Sequence, residues 1–433
     1  MTNLMNDTRT LSLSKGAYNN KKMKKLTIII LLIAGLFSAE INACTTAVIS
    51  GKYTKNGKPL LWKHRDTWAV NNKIMHFNDG KYEYTALVNS KDKKGRSVWI
   101  GFNSAGFSIM NSASYNLNNH DTIEQSGLEG RIMKQALQTC ATIDDFEQML
   151  KDMDQPSRLE ANFGVIDAEG GAAYFELANF YYIKVDANDP TVAPFGYLIR
   201  TNYSHTGEIG VGGGYIRYVT TNKVFDEAVK HNELTAQTVL QKASRNLTHS
   251  LTGDDLWSNV DIPENNTKYV FFVDYIPRRG SSSSIIIEGV NKKENTENMV
   301  MWTVLGFPLT SVIIPVWQHS DMQLPKIMSY DKDLNDSPLC HYALELKKDV
   351  YCYRWGLNKK YYINVNSLLN ANNSGFMQIL PSLEKTILEE AYSKKAKWEK
   401  DGLNVKELNE YYKWIDKTTT QFYKENFPQL GIE

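Results

Sequence analysis

The 433-residue chain has few of the residues that mark a metal centre or a disulfide scaffold. Its four cysteines are Cys44, Cys140, Cys340 and Cys352. They form no CxxC pair and no HExxH sequence is present, so the chain carries no zinc signature. Four cysteines are also too few for a disulfide framework in an exported protein of this length. The last two lie twelve residues apart, and the sequence leaves open whether they form a bridge.

The chain also lacks an excess of charge of either sign. It contains 49 Lys and Arg against 48 Asp and Glu. Six of the basic and two of the acidic residues precede Cys44, so the remainder has a formal charge of −3. This balance gives no electrostatic reason to expect a nucleic acid or an anionic membrane surface as a partner. The 42% hydrophobic and 22% charged content is that of a globular protein.

Long hydrophobic runs are absent except for one near the start of the chain. This run, LTIIILLIAGLF at 26–37, has twelve residues, whereas a membrane-spanning helix needs about 20. It follows four lysines between positions 21 and 25 and precedes a polar stretch of small residues that ends at Ala43. This order predicts a signal peptide at 1–43, with translation starting at Met23. We therefore expect an exported protein, periplasmic or extracellular, with no stable membrane span.

Beyond Cys44, runs of strands alternate with runs of helices. Short apolar runs broken by turns such as KNGKP predict an antiparallel meander up to about residue 114. Hydrophobic spacing predicts helices at 126–140, 142–153, 216–231 and 235–247. It predicts strands at 162–178 (a hairpin), 181–186, 196–202, 281–290 and 297–306. The pattern predicts an α+β fold with helices layered on antiparallel sheets. We expect a main domain at 44–325 and a C-terminal extension at 326–433, mostly helical from about 382.

Cys44 follows the predicted cleavage site, and its position has three interpretations. It is a packed cysteine of no chemical importance, a lipid-anchored residue, or a nucleophile. The residues before it loosely fit a lipidation pattern, and a lipid-anchored binding protein that uses its many aromatic residues is the alternative to an enzyme. However, six residues including Glu40 separate the apolar run from Cys44, a spacing that suits ordinary cleavage after Ala43 better.

A cysteine exposed at a new N-terminus would carry a thiol and an α-amine on one residue. The amine, with a pKa near ~7.7 to 8.0, is a usable general base at neutral pH. It can accept the thiol proton directly or through one water, as in the N-terminal threonine variant of nucleophile activation. Lipidation would block both groups, so the anchor and the nucleophile exclude each other.

The sequence around Cys44 resembles the start of the N-terminal-nucleophile (Ntn) amide hydrolases. The runs CTTAVISG and KPLLWKHRD are similar to those of the branch with choloylglycine hydrolases, penicillin V acylases and acyl-CoA:6-aminopenicillanic acid acyltransferase-like cysteine peptidases. In that branch a Cys-Thr pair opens the first strand and the next strand carries Arg/Lys-Asn-x-Asp. The resemblance implies that Asp66 lies near the α-amine. The basic residue of the family falls on Lys63 by register, with Arg65 as the second candidate.

Three further segments match the family in order. GFNSAGFSIMNSASYN implies Asn111 as a donor to the tetrahedral oxyanion, with Asn103 as a secondary candidate. GYLIRTNYSH implies Asn202 as a second donor, and loss of one such donor typically costs about 10² to 10³ in rate. GGGYIRYVTTNKVF implies that Arg217 reaches the catalytic centre and holds Asp66 or the substrate.

The resemblance extends from about Cys44 to Trp317 and implies a four-layer αββα fold. It further implies hydrolysis of a linear amide in a small N-acyl substrate, with no metal or other cofactor. An acyltransferase using the same site stays open, as does a homo-oligomer. The Lys-His pair at 63–64 departs from the Arg-Asn of the choloylglycine hydrolases, so bile-salt specificity is not implied.

Overall fold

The computed structural model describes residues 44–118, 120–353, 356 and 358–432. The predicted signal peptide lies outside the described residues. Sheet 1 has six antiparallel strands in the order β10-β1-β2-β12-β13-β14, and sheet 2 has seven in the order β3 to β9. The strands of sheet 1 are β1 (Thr45–Ile49), β2 (Leu60–Asp66), β10 (Tyr197–Arg200), β12 (Ser281–Glu288), β13 (Val300–Leu305) and β14 (Ile314–Val316).

The other elements belong to sheet 2, a small third sheet and the helices. Sheet 2 comprises β3 (Asn72–Phe77), β4 (Tyr84–Asn89), β5 (Ile100–Asn103), β6 (Ser108–Ala113), β7 (Ala161–Ile166), β8 (Ala172–Leu177) and β9 (Tyr182–Asp186), while β11 (Tyr269–Phe271) pairs with β15 (Tyr362–Asn364). The helices are α1 (Glu129–Thr139), α2 (Ile143–Lys151), α3 (Tyr215–Lys230), α4 (Ala236–Thr238), α5 (Pro338–Val350), α6 (Phe376–Asp401) and α7 (Val405–Asn426).

The predicted single meander up to residue 114 is wrong, because the chain divides it between the two sheets. Strands β1 and β2 pair with each other in sheet 1, and the chain then crosses to sheet 2, where β3 to β6 form a meander. Strand β2 is fully buried and pairs on its other side with β12, more than 200 residues later. No local pattern reveals that pairing, so the division between sheets could not be read from the sequence.

Sheet 2 is buried on both faces along β4 to β8, whereas the edge strand β9 is largely exposed. One face packs against α1 and α2 in a core where Phe146 contacts the rings of Phe107, Phe163 and Phe175. The other face approaches sheet 1 so closely that a Cβ on Gly164 would lie 2.8 Å from the Val48 side chain. Glycine is therefore required on β7 at this point. The predicted Thr cap of α2 is confirmed, since the Thr142 side chain accepts a hydrogen bond from the Asp145 backbone N–H.

Helix α3 covers the opposite face of sheet 1. Its Phe225 packs against Trp62 of β2 at 6.0 Å and against Tyr197 of β10 at 5.2 Å between ring centroids. The two faces of sheet 1 therefore have different neighbours, sheet 2 on one side and α3 on the other. Alternation along β1 and β2 decides which neighbour each side chain meets.

The C-terminal residues pack into the core of sheet 1. Two helices were expected at 382–426, and α6 and α7 are found there, with α6 beginning at Phe376. The Trp317 backbone N–H donates to the Tyr412 hydroxyl at 2.8 Å, and Trp317 meets Trp398 of α6 at 5.1 Å. The chain after Asn42 forms one compact unit. The domain boundary near residue 325 stays a prediction.

The four cysteines are free thiols. Cys340 is buried on α5, where its Sγ lies 3.5 Å from the Val70 carbonyl oxygen. Cys352 lies beyond the end of that helix, 3.7 Å from the Tyr269 hydroxyl. The two sulfurs thus face different parts of the molecule, and the bridge that the sequence left open is not formed. In the part of the chain that the structure describes, we find no helix with the length and apolarity needed to cross a bilayer.

We expect Phe146→Ala to lower the free energy of unfolding by about 3 to 5 kcal/mol, because it removes a fully buried ring at the centre of the core between sheet 2 and its helices. Phe180→Ala is the control, since that ring is 54% exposed and its removal should cost less than about 0.5 kcal/mol. Urea unfolding followed by tryptophan fluorescence measures both. Equal losses in the two variants would contradict this account of the core.

Candidate active site

Cys44 immediately precedes β1, at the edge of the interface between the two sheets. Its side chain is almost buried, at 8% exposure, and its Sγ lies 4.0 Å from the backbone oxygen of Asp66 at the end of β2. The register of the two strands pairs Thr45 with His64. Cys44 therefore adjoins the last residues of β2, where the sequence placed the candidate basic and acidic groups.

Alternation along β2 sends its charged side chains in two directions. Lys63 and Arg65 share one face of β2, as alternation predicts, and that face is turned toward sheet 2, where both side chains are buried. The Lys63 Nζ donates to Oδ1 of Asn111 on β6 at 2.6 Å and also to that residue's carbonyl oxygen. Because Oδ1 accepts from the lysine, the amide Nδ2 hydrogens of Asn111 point away from it. This orientation suits a donor to a substrate oxygen.

Arg65 makes a different set of contacts on the same face. Its guanidinium binds the side-chain oxygens of Asn72 and Asn89, the latter at 2.9 Å, and lies 4.6 Å from the centre of the Trp99 ring. Lys63, not Arg65, therefore contacts the candidate oxyanion donor on β6.

Arg217, on the first turn of α3, joins three parts of the site. Its Nη1 donates to the Cys44 carbonyl oxygen at 2.7 Å and to the Thr45 hydroxyl at 2.6 Å, and its Nη2 donates to Oδ1 of Asn202 at 2.9 Å. Asn202 Nδ2 donates to the Ala113 carbonyl oxygen at 3.0 Å. A Cβ on Gly214, which has a φ of +89°, would lie 2.3 Å from Nη2, so the glycine run before α3 permits this approach.

The carboxylate of Asp66 is held by residues that the sequence analysis missed. Arg278 Nε lies 2.9 Å from Oδ2, and the Ser281 hydroxyl donates to Oδ1 at 2.6 Å. The expectation that Arg217 holds Asp66 is thus replaced, because Arg278 makes that contact and Arg217 binds Cys44 and Asn202. The available signal was the run RRGSSSS, which leads into the strand that pairs with β2.

His64 and Ser281 do not form a second nucleophilic pair. His64 Nε2 lies 2.8 Å from the Ser281 oxygen, but the serine proton is directed to Asp66. The Nε2–H of His64 then donates to Ser281, and its buried Nδ1 has no hydrogen-bond partner among the described residues. Burial lowers the pKa of His64 to about 4, so it is neutral at pH 7. The cluster therefore fixes the Asp66 carboxylate and does not activate the serine.

Three buried cations surround the start of β1, and their hydrogen bonds go to neutral oxygens. Burial lowers the pKa of Lys63 to about 8, that of Arg65 to about 10 and that of Arg217 to about 9. Negative charge on the nearby Cys44 sulfur, in its thiolate form, opposes part of this shift in each of them. The arrangement favours negative charge at this point, such as that of a tetrahedral oxyanion.

Asn103, the secondary candidate for an oxyanion donor, lies elsewhere. Its Nδ2 donates to the carbonyl oxygens of Leu137 at 2.9 Å and Cys140 at 2.8 Å, and its Oδ1 accepts from the backbone of the β5–β6 turn. Both ends of the amide thus tie the end of α1 to sheet 2. The structure brings together Cys44, Lys63, Asn111, Asn202 and Arg217, with Asp66 beside them, and leaves Asn103 outside.

Comparisons with known proteins found similarity among solved structures. No family model and no curated protein matches the chain. Among solved structures it is similar to two variants of the conjugated bile acid hydrolase from Clostridium perfringens, each at 13% identity, with TM-scores of 0.38 and 0.36. These cover 64% and 63% of this chain and 92% of the hydrolase.

The penicillin V acylase from Agrobacterium tumefaciens is also similar, at 12% identity and a TM-score of 0.34, over 64% of this chain and 87% of the acylase. Both enzymes belong to the Ntn hydrolases that the sequence resembles. At these identities and TM-scores the similarity does not establish the function of this chain.

We expect the stability of the protein to depend on pH through Lys63. The unfolded chain holds the lysine proton up to about pH 10.4, whereas the folded protein releases it near pH 8. Below pH 8 Lys63 is protonated in both the folded and the unfolded protein, so the folded protein bears the full cost of burying the charge. Above it the unfolded state binds more protons, so stability rises with pH.

Between pH 7 and 9.5 the unfolding free energy should therefore rise by at least about 2 kcal/mol relative to Lys63→Met, since removal of the Cys44 sulfur takes away one of the groups that raise the pKa of Lys63. The protein with Lys63 and the Lys63→Met variant both carry Cys44→Ala, so that the thiol does not titrate. The other charged groups near Lys63, Arg65 and Glu129, are present in both proteins. Chemical unfolding across this range measures the difference. A difference independent of pH would contradict the assignment.

Proposed function

We propose that the protein is an exported Ntn-type amidase that hydrolyses a linear amide bond of a small N-acyl substrate, with Cys44 as its nucleophile. The four-layer αββα architecture belongs to this proposal and is supported by two packed sheets with helices against each. The observation that carries the proposal is the cluster at the start of β1. There Cys44 lies beside Asp66 and its carbonyl oxygen accepts from Arg217, which also binds Asn202.

Acylation starts when Cys44 Sγ attacks the amide carbonyl carbon of the substrate. Its proton passes to the α-amine of Cys44, which is free once residues 1–43 are removed. A carbon–sulfur bond forms, the carbonyl electron pair moves to oxygen, and the amides of Asn111 and Asn202 stabilise the resulting oxyanion. The carbon–nitrogen bond then breaks, the leaving amine takes the proton, and a thioester remains.

Deacylation repeats these steps with water as the nucleophile. The α-amine accepts a proton from the water, the tetrahedral intermediate forms again, and its collapse breaks the carbon–sulfur bond and returns the proton to the thiol. If an amine replaces water, the product is a new amide, which is the acyltransferase form of the same chemistry. Asp66, fixed by Arg278 and Ser281, orients the α-amine and sets its basicity.

We expect Cys44→Ser to fold as the wild type and to lose at least about 10³-fold in amidase activity, because the hydroxyl is a much weaker nucleophile than the thiol. Activity is measured on a panel of penicillin V, acyl-homoserine lactones, glycine- and taurine-conjugated bile acids, and N-acyl amino acids. Cys140→Ser is the control, since Cys140 is a buried cysteine at the end of α1, outside the site. Unchanged turnover in Cys44→Ser would rule out this nucleophile.

We also expect one extra residue before Cys44 to abolish turnover, because its peptide bond would remove the basic amine. Mass spectrometry of the secreted protein should find Cys44 as an unmodified first residue. A diacylglyceryl thioether on its sulfur would instead identify a lipid anchor. Full activity of the extended protein would refute the role of the amine.

A further inference from the structure

The two candidate oxyanion donors are carried by different sheets. Asn111 belongs to β6 in sheet 2, whereas Asn202 follows β10 at the edge of sheet 1. Both amides must lie 2.7 to 3.1 Å from one substrate oxygen to stabilise it. A small displacement of one sheet edge against the other would break this geometry, so the site needs a link that sets the position of Asn202 relative to sheet 2.

The structure contains such a link in the carboxylate of Glu176, on β8 of sheet 2. Its Oε1 accepts from Nε of Arg200 at 2.6 Å and from the His205 backbone N–H at 3.0 Å. Its Oε2 accepts from the Thr206 backbone N–H at 2.9 Å and from the Thr206 hydroxyl. The partners lie two residues before Asn202 and three and four residues after it. One carboxylate therefore holds both ends of the segment that carries the donor.

The link is buried and charged. Glu176 is 0% exposed and Arg200 is 2% exposed. Burial alone would raise the pKa of Glu176, but Arg200 and the hydrogen bonds from Thr206 outweigh it and lower that pKa. A buried carboxylate with this many donors is fixed in position, because any movement would leave charge without a partner.

A second chain of hydrogen bonds connects the same segment to β1. The Tyr174 hydroxyl, also on β8, donates to the Thr46 hydroxyl at 2.8 Å, and Thr46 donates to the Arg200 carbonyl oxygen at 2.9 Å. The Arg200 guanidinium lies 5.1 Å from the centre of the Tyr174 ring. Strand β8 thus contacts the segment before Asn202 and the strand that follows Cys44.

We propose that Glu176 is a positioning residue that sets the place of Asn202 across the interface between the sheets. The inference rests on the proposed function, since it concerns an oxyanion donor. Glu176 does not touch the substrate or the reacting atoms. It acts through Arg200 and the 205–206 backbone on the amide of Asn202.

The test compares two matched substitutions, Glu176→Gln and Glu384→Gln. Glu384 is 1% exposed, pairs with Arg245 at 2.6 Å and accepts a backbone N–H from Ile313, but it anchors α6 and not the site. Both substitutions remove one buried negative charge opposite an arginine, so both should lower Tm. Only Glu176→Gln should also reduce kcat, by about 10- to 100-fold with KM changed less than about 3-fold. In Glu384→Gln, kcat per folded molecule should stay within about 2-fold of wild type.

A second measurement, the rate of Cys44 alkylation, distinguishes a displaced oxyanion donor from general damage to the site. Alkylation of Cys44 by iodoacetamide needs the nucleophile but develops no oxyanion, so its rate should match wild type in both variants. Turnover is measured with penicillin V and with an N-acyl p-nitroanilide. An equal kcat in the two glutamine variants, or an alkylation rate that falls as much as kcat, would overturn the role of Glu176.

Glu176→Asp keeps the test decisive if the glutamine variant does not fold. The aspartate retains the negative charge, but its side chain is one methylene shorter, so the carboxylate lies farther from its partners. We therefore expect the Glu176→Asp variant to fold, with a lower kcat and a KM near that of wild type. A wild-type kcat in folded Glu176→Asp would overturn the proposal. A wild type that turns over no probe and leaves Cys44 unlabelled would refute the proposed function itself, and the role of Glu176 with it.

Discussion

The arrangement of the site depends on one buried guanidinium, that of Arg217. It donates to the Cys44 carbonyl oxygen, to the Thr45 hydroxyl and to the Asn202 side chain, and so joins the start of β1, the end of β10 and helix α3. Arg217 is 1% exposed, and the acceptors of Nη1 and Nη2 fix the three partners relative to one another, whereas its buried Nε has no hydrogen-bond partner among the described residues. This contact joins the Asn202 side chain directly to Cys44, in addition to the bond from Asn202 Nδ2 to Ala113 and the contacts of Glu176 with the residues on either side of Asn202.

The charges around this centre are arranged in two groups with different tasks. Asp66 is compensated by Arg278, so the acidic group is held in place with little net charge. Lys63 and Arg217, by contrast, donate to neutral oxygens and leave a positive potential beside Cys44. Lys63 and Asp66 lie on opposite faces of β2, since Lys63 points to sheet 2 and Asp66 does not. The site can therefore hold a carboxylate and favour a new anion a short distance away.

The sequence predicted the elements that depend on local pattern. Helices α1 to α4, α6 and α7 and most strands were expected close to their positions, because hydrophobic spacing and turn residues act within a few positions. Strand β3 and helix α5 were missed. NKIMHF shows no clean alternation, whereas PLCHYALELKKDV does place Leu339, Ala343, Leu346 and Val350 at helical spacing, a signal that was overlooked. The division of the meander between two sheets was missed because it depends on the distant pairing of β2 with β12.

The sequence by itself determined which residues share a face of β2 and predicted that Cys44 lies at the start of the first strand, because strand alternation and the turn residues around a strand are properties of adjacent positions. It could not determine the partners of those residues. That Arg278 and Ser281 hold Asp66, that Lys63 orients Asn111, and that Asn103 lies outside the site were decided by the tertiary structure alone. These contacts join positions tens to hundreds of residues apart, and only the packing of the sheets and helices brings them within hydrogen-bond distance.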